Sequence, residues 1–237
     1  MKDKSFVIAK INFRNSRLAY ILTAIVFFAV VLQDIVFLIL NATGVYSGNA
    51  DNTTVGVGNY LLLLVVLCAV FIPSRNFYKM MNLGGKRADF FSGCAVTYVI
   101  LAAAVSLAVL LMYYTYEPLI IAMYYKGGHL SVLQAFGWLS NGPVVAFFRQ
   151  FAFLFLAAAV IHTLTAIQDK WYGWITDVVI VAIISVFTPI APLRAALVWF
   201  FNMIIFHPSA WVQIVVCLVL AASIYMINKP VLARKSI

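Results

Sequence analysis

Four ionisable side chains, Asp34, Arg149, His162 and Asp177, sit inside otherwise apolar runs of this 237-residue chain. A charge at membrane depth is costly and normally faces the protein interior, paired or hydrogen-bonded. Asp34 lies six residues before the end of the apolar run 18–40, and Arg149 six residues inside the start of the run 143–167. With those two ends on one side of a membrane they share a depth and can pair. The competing arrangement has Arg149 snorkelling to nearby headgroups. His162 and Asp177 lie at similar distances on either side of a short 168–173 turn, so antiparallel neighbours bring them level. A pair there serves as a structural hydrogen bond or as a proton relay.

Other chemistry is missing. Gly84-Gly85-Lys86-Arg87 superficially resembles a phosphate loop, but the upstream Gly and the Ser/Thr after Lys are absent. The chain has no His-Glu-x-x-His zinc helix and no Gly-x-Ser-x-Gly elbow. Cys68, Cys94 and Cys217 fall inside apolar runs and read as small buried hydrophobes, with no metal or disulfide spacing. The expectation is a non-catalytic chain with no metal and no cofactor of its own. Uphill transport would then draw its energy from another chain or from an ion gradient.

The elements that must position these groups are six apolar runs, 18–40, 58–81, 90–114, 143–167, 174–192 and 209–227. Hydrophobic residues make up 65% of the chain and charged ones 10%, more apolar surface than a soluble core of this size needs. A spanning helix takes about 20 apolar residues, and spans in lipid must satisfy their own backbone. Runs such as Leu61–Leu67 do not alternate, which argues against barrel strands. The expected fold is all-α, one polytopic membrane domain over residues 1–237 with six transmembrane helices. Thirteen of the sixteen Lys and Arg fall in the N-terminal segment, the turns after the second and fourth runs, and the tail. By the positive-inside rule both termini are cytoplasmic. The net charge of +9 is therefore a topology signal. Its dispersal over separate loops argues against nucleic acid as a partner.

Three segments are not simple spans. In 2–17, Lys10, Arg14 and Arg17 form one stripe, with Ile8 and Ile11 roughly opposite. This suits either an interfacial helix facing anionic headgroups of membrane lipid or a plain basic flank. In 73–91 the second span runs past the surface to about Asn82, where Gly84 or Gly85 supplies a left-handed C-cap. Asn82, Leu83, Gly84, Gly85, Lys86, Arg87 and Asp89 then form a charged turn, either a docking element or an ordinary loop. In 189–208, Pro189 and Pro192 break the fifth span. Leu193–Phe206 is too short to cross, at about 21 Å against a core of about 30 Å, which predicts a re-entrant or interfacial helix.

Together these segments resemble the permease subunit of an ABC-2 type ABC exporter. The stretch Asn82-Leu83-Gly84-Gly85-Lys86-Arg87-Ala88-Asp89-Phe90-Phe91-Ser92-Gly93 is similar to the glycine-basic-acidic-aromatic turn of small Firmicute permeases of that kind. A further likeness is to exporters of amphipathic peptides such as phenol-soluble modulins and bacteriocins. The resemblance implies a bacterial plasma-membrane location, a coupling turn at 82–89 that touches cytosolic ABC ATPase subunits, and a second permease copy or paralogue. It also implies ATP and Mg on the partner ATPase and a hydrophobic or amphipathic substrate. One departure is the long aromatic connection 115–142, with Tyr116, Tyr124, Tyr125, Phe136 and Trp138. It reads as a collar at the outer headgroups. The alternatives are the substrate-binding membrane module of a vitamin-type importer and an intramembrane enzyme.

Overall fold

The computed structural model describes residues 4–45, 54–124 and 129–235. Ten α-helices carry these residues: α1 (Lys4–Asn15), α2 (Arg17–Ala42), α3 (Leu62–Phe71), α4 (Phe77–Asn82), α5 (Arg87–Tyr124), α6 (Val132–Ala135), α7 (Pro143–Ile167), α8 (Trp171–Phe187), α9 (Ala191–Phe201) and α10 (Ala210–Arg234). Five helical stretches are long and apolar enough to cross a membrane: Arg17–Ala42, Val57–Asn82, Arg87–Ile121, Pro143–Ile167 and Ala210–Ala233. They mark an all-α, membrane-embedded protein. The pair Trp171–Phe187 and Ala191–Phe206 meets the same test only when taken together, and it bends by 117° at its break.

The core forms around α7, which packs on α10, α5 and α3. Small residues let the backbones approach: Ala146, Ala152, Ala158, Ala159 and Ala166 of α7 are all buried, as is Ala221 of α10. By contrast, α8 buries only Gly173 and α9 buries nothing. A Cβ on Gly173 would stand 2.3 Å from the Ile167 carbonyl oxygen, so glycine is what lets α8 fold back so tightly after α7.

Span two is segmented. A 3-10 turn (Val57–Leu61) leads into α3, a π-helical turn (Ile72–Asn76) follows, and α4 completes it. Pro73 has no N–H to give to the preceding turn, and its ring crowds the carbonyl there. The π-turn absorbs the misfit, closing with the Phe77 N–H on the Ile72 carbonyl. Ser74 Oγ donates to the Val70 carbonyl at 2.6 Å.

Several boundaries depart from the sequence expectation. α5 runs to Tyr124 rather than stopping near 114, and its 38 residues extend about 57 Å. The helix of the fifth apolar run, α8, ends at Phe187, not at 192. Pro192 begins α9, where its missing N–H costs nothing. α10 continues past Pro230 to Arg234. The aromatic connection is not a surface collar at Trp138, whose side chain is wholly buried and donates Nε1–H to the Ile205 carbonyl at 2.9 Å. Phe136 packs beside it, against Phe153 and Phe206. Tyr125 lies outside the described residues. A two-residue parallel pairing, Thr54 with His129 and Val55 with Leu130, clips this connection to the loop before span two.

Candidate functional site

The turn after α4 has the geometry of a Schellman cap. Gly84 takes a left-handed φ of +78°. Its N–H donates to the Met81 carbonyl at 2.9 Å, and the Gly85 N–H reaches the Met80 carbonyl at 3.0 Å. Both glycines are needed, for different reasons: Gly84 for its φ, and Gly85 because a Cβ there would lie 2.9 Å from the Met80 carbonyl oxygen. Asn82 and Lys86 are exposed, and Leu83 is 87% exposed, an apolar side chain at the tip of a charged turn. Asp89 stands half-buried in the first turn of α5, where the helix dipole favours an acid.

Arg87, expected in the docking turn, has partners within the chain. Its guanidinium turns back to the end of α10, donating to the carbonyls of Ala233 and, at 2.9 Å, Lys235. The last carbonyls of a helix lack intrahelical donors, and a cation there also suits the dipole. Arg87 therefore fastens the tail to the turn.

Lys235, which the sequence offers only as a tail charge, is 2% exposed. Its Nζ pairs with Asp169 Oδ2 at 2.8 Å and donates to the Pro73 carbonyl at 3.1 Å. The ammonium also lies 5.4 Å and 5.2 Å from the ring centroids of Phe77 and Tyr78. Tyr78 Oη donates to the same carboxylate oxygen at 2.6 Å. Burial alone would raise the Asp169 pKa. Hydrogen bonds from Lys235 and Tyr78, with the nearby Lys235 charge, outweigh it and hold the carboxyl below its usual value. The break in span two, the α7–α8 turn, the start of α5 and the tail thus meet at one end of the bundle, here called the near end.

The intramembrane groups find other partners than those expected. Arg149 is 2% exposed and does not snorkel. It does not pair with Asp34: its Nε donates to Gln213 Oε1, and a terminal nitrogen donates to the His207 carbonyl at 2.8 Å. Gln213 Nε2 in turn donates to the Ile204 carbonyl at 3.0 Å. These donors, with Trp138, take up carbonyls where the π-turn Asn202–Phe206 and the chain after it cannot satisfy their own. The excursion between α8 and α10 is thereby fixed to α7 and α10. Asp34 accepts from Tyr116 Oη at 3.1 Å. The reason is packing: α2 lies on α3 and α5, which brings a side chain of the unexpected extension of α5 within reach. Glu117, on that same extension, is 2% exposed and was missed for the same reason.

His162 and Asp177 are not a pair either. His162 is wholly buried, with Nδ1 2.6 Å from Tyr98 Oη, beside the ring of Tyr225. Asp177, half-buried on α8, accepts from Gln168 Nε2 at 2.7 Å. α8 touches little of the core, so equal depth along the chain does not become contact. The stripe Lys10, Arg14 and Arg17 is exposed as expected. Ile8 on the opposite side packs on protein, against Gly93, where a Cβ would stand 2.3 Å from Ile8 Cγ2.

Comparison of the chain with family models, with curated proteins and with solved structures finds no match.

Proposed function

We propose that this chain is the permease subunit of an ATP-driven exporter of the ABC-2 type, working with a second copy or a paralogue. In this reading the near end faces the cytosol, and separate ABC ATPase subunits hold ATP and Mg. The substrate is hydrophobic or amphipathic, with peptides a natural class. The observation that carries the reading is the exposed, doubly glycine-capped turn Asn82–Lys86 at the end of a span broken at Pro73. A push on that turn can move α4 against α3 through the π-turn. It also reaches α10 through Arg87 and Lys235. Packed helices with two stable arrangements convert such a push into alternating access. The α8–α9 pair supplies the fifth of six spans and a re-entrant piece on the outer side. Its exposed Trp171, Trp174, Val178 and Val181, with the apolar face of α2, await lipid or the second copy.

The test is crosslinking from a cysteine at Lys86 in the intact assembly. Capture of a chain that carries a phosphate loop is expected. Efficient crosslinking that yields no ATPase refutes the reading.

A further inference from the structure

A cavity of about 500 Å³ opens at the near end between the α1–α2 junction and the break in span two, within the size range of small-molecule sites. Its cationic lining is Arg75, in the π-turn, and Lys79, four residues on in α4, both exposed. The Arg75 guanidinium is held over the Phe71 ring, 5.7 Å from its centroid. Asn15 and the almost wholly buried Asn76 add amides. Asn76 makes only long contacts of 3.5 Å to the Asn12 carbonyl and Ser16 Oγ, so its amide is weakly engaged. Among the described residues, no Asp or Glu lines the cavity. The carboxylate of Asp169, which accepts from the lining residue Tyr78, is already paired with Lys235. Two cations with no acid across from them call for an anion. Ser74 and Tyr78 also line it, and its apolar wall is Leu18 and Phe71, residues of α2 and α3 that lead away from the polar end.

We infer that this cavity binds the headgroup of an acidic phospholipid. The phosphate lies between Arg75 and Lys79, headgroup hydroxyls meet Asn15 and Asn76, and the acyl chains leave along Leu18 and Phe71. A free phosphate would use the cations and leave the apolar wall unused. The exposed Lys10 and Arg14 of α1 and Arg17 at the start of α2 raise the local concentration of such lipids without forming the site. An occupied cavity braces α4 against the α1–α2 junction at the point where span two is weakest. The inference rests on the membrane reading and not on the exporter assignment.

Native mass spectrometry of the full-length chain in detergent tests it, with phosphatidylglycerol and phosphatidylcholine as probes. One retained phosphatidylglycerol is expected, bound at least tenfold more tightly than phosphatidylcholine. Arg75→Gln with Lys79→Gln should weaken phosphatidylglycerol about 30-fold, from the usual worth of two basic residues near an anionic surface. Asn15→Asp, which sets a negative charge in the lining, should weaken it as well. Lys10→Gln with Arg14→Gln removes the same charge outside the cavity and should leave the retained lipid in place. Equal losses from both pairs would mean diffuse attraction and overturn the site. Displacement of the lipid by inorganic phosphate would make it a free-anion site, and no preference between the two lipids would overturn it outright.

Discussion

Gln213→Leu is the substitution that most directly probes how the interior holds its charge. In the native chain Gln213 accepts from Arg149 and donates to the Ile204 carbonyl. Losing the first removes a hydrogen bond to a buried charged group, about 2 kcal/mol, and losing the second a neutral one, about 1 kcal/mol. The single variant should therefore be about 3 kcal/mol less stable. Arg149 has neutral partners, so Arg149→Met has two opposing effects. It abandons the bonds to Gln213 and His207 but relieves the burial of a guanidinium, which costs several kcal/mol. In that background only the Ile204 bond remains to be lost, and Gln213→Leu should cost about 1 kcal/mol. The coupling is then about 2 kcal/mol, read by a double-mutant cycle on unfolding of the detergent-solubilised protein. Asp34→Asn should be additive with Arg149→Met, because Asp34 is held by Tyr116 on α5. A Gln213→Leu cost unchanged within about 0.5 kcal/mol by the loss of Arg149 would refute the reasoning.

At the near end, Gly84→Ala should destabilise by about 1–2 kcal/mol through its left-handed φ, and thermal unfolding would show it. A silent Gly84→Ala would mean that the cap contributes nothing. The Asp169 pKa is depressed in the folded chain, so its contribution is complete above the ordinary value of 3.8 and is lost as pH falls through the lower folded value. That loss should be modest, since the side chain is 39% exposed and solvent screens the pair. Asp169→Asn should remove this component from the stability–pH curve below 3.8, and an unchanged acid limb would count against the network. A cysteine at Ser209 should react with an impermeant thiol reagent in intact cells. Protection until permeabilisation would reverse the orientation proposed for α8 to α10.

One-dimensional hydrophobicity and local turn chemistry account for the features that could be read from the residues alone. The spans 18–40, 58–81 and 143–167 match helices within a few residues, because about 20 apolar residues cannot satisfy their backbone in lipid any other way. The cap at 84–85 was legible because glycine has no Cβ to oppose a left-handed φ, and the three cysteines are buried and free as their apolar context required. The break near Pro189 was legible for the same local reason, although only the fold shows Pro192 opening the next helix. Which charges meet depends on how the helices pack. Depth along a helix says nothing about which face a residue takes or which helix lies across from it. Arg149 finds Gln213 because α7 packs on α10, Asp34 finds Tyr116 because α5 outlasts its apolar run, and His162 misses Asp177 because α8 swings away from the core. Lys235 carries no local signal at all. Its burial follows from α10 running on past Pro230 until its end reaches the break in span two, a contact between residues 162 positions apart.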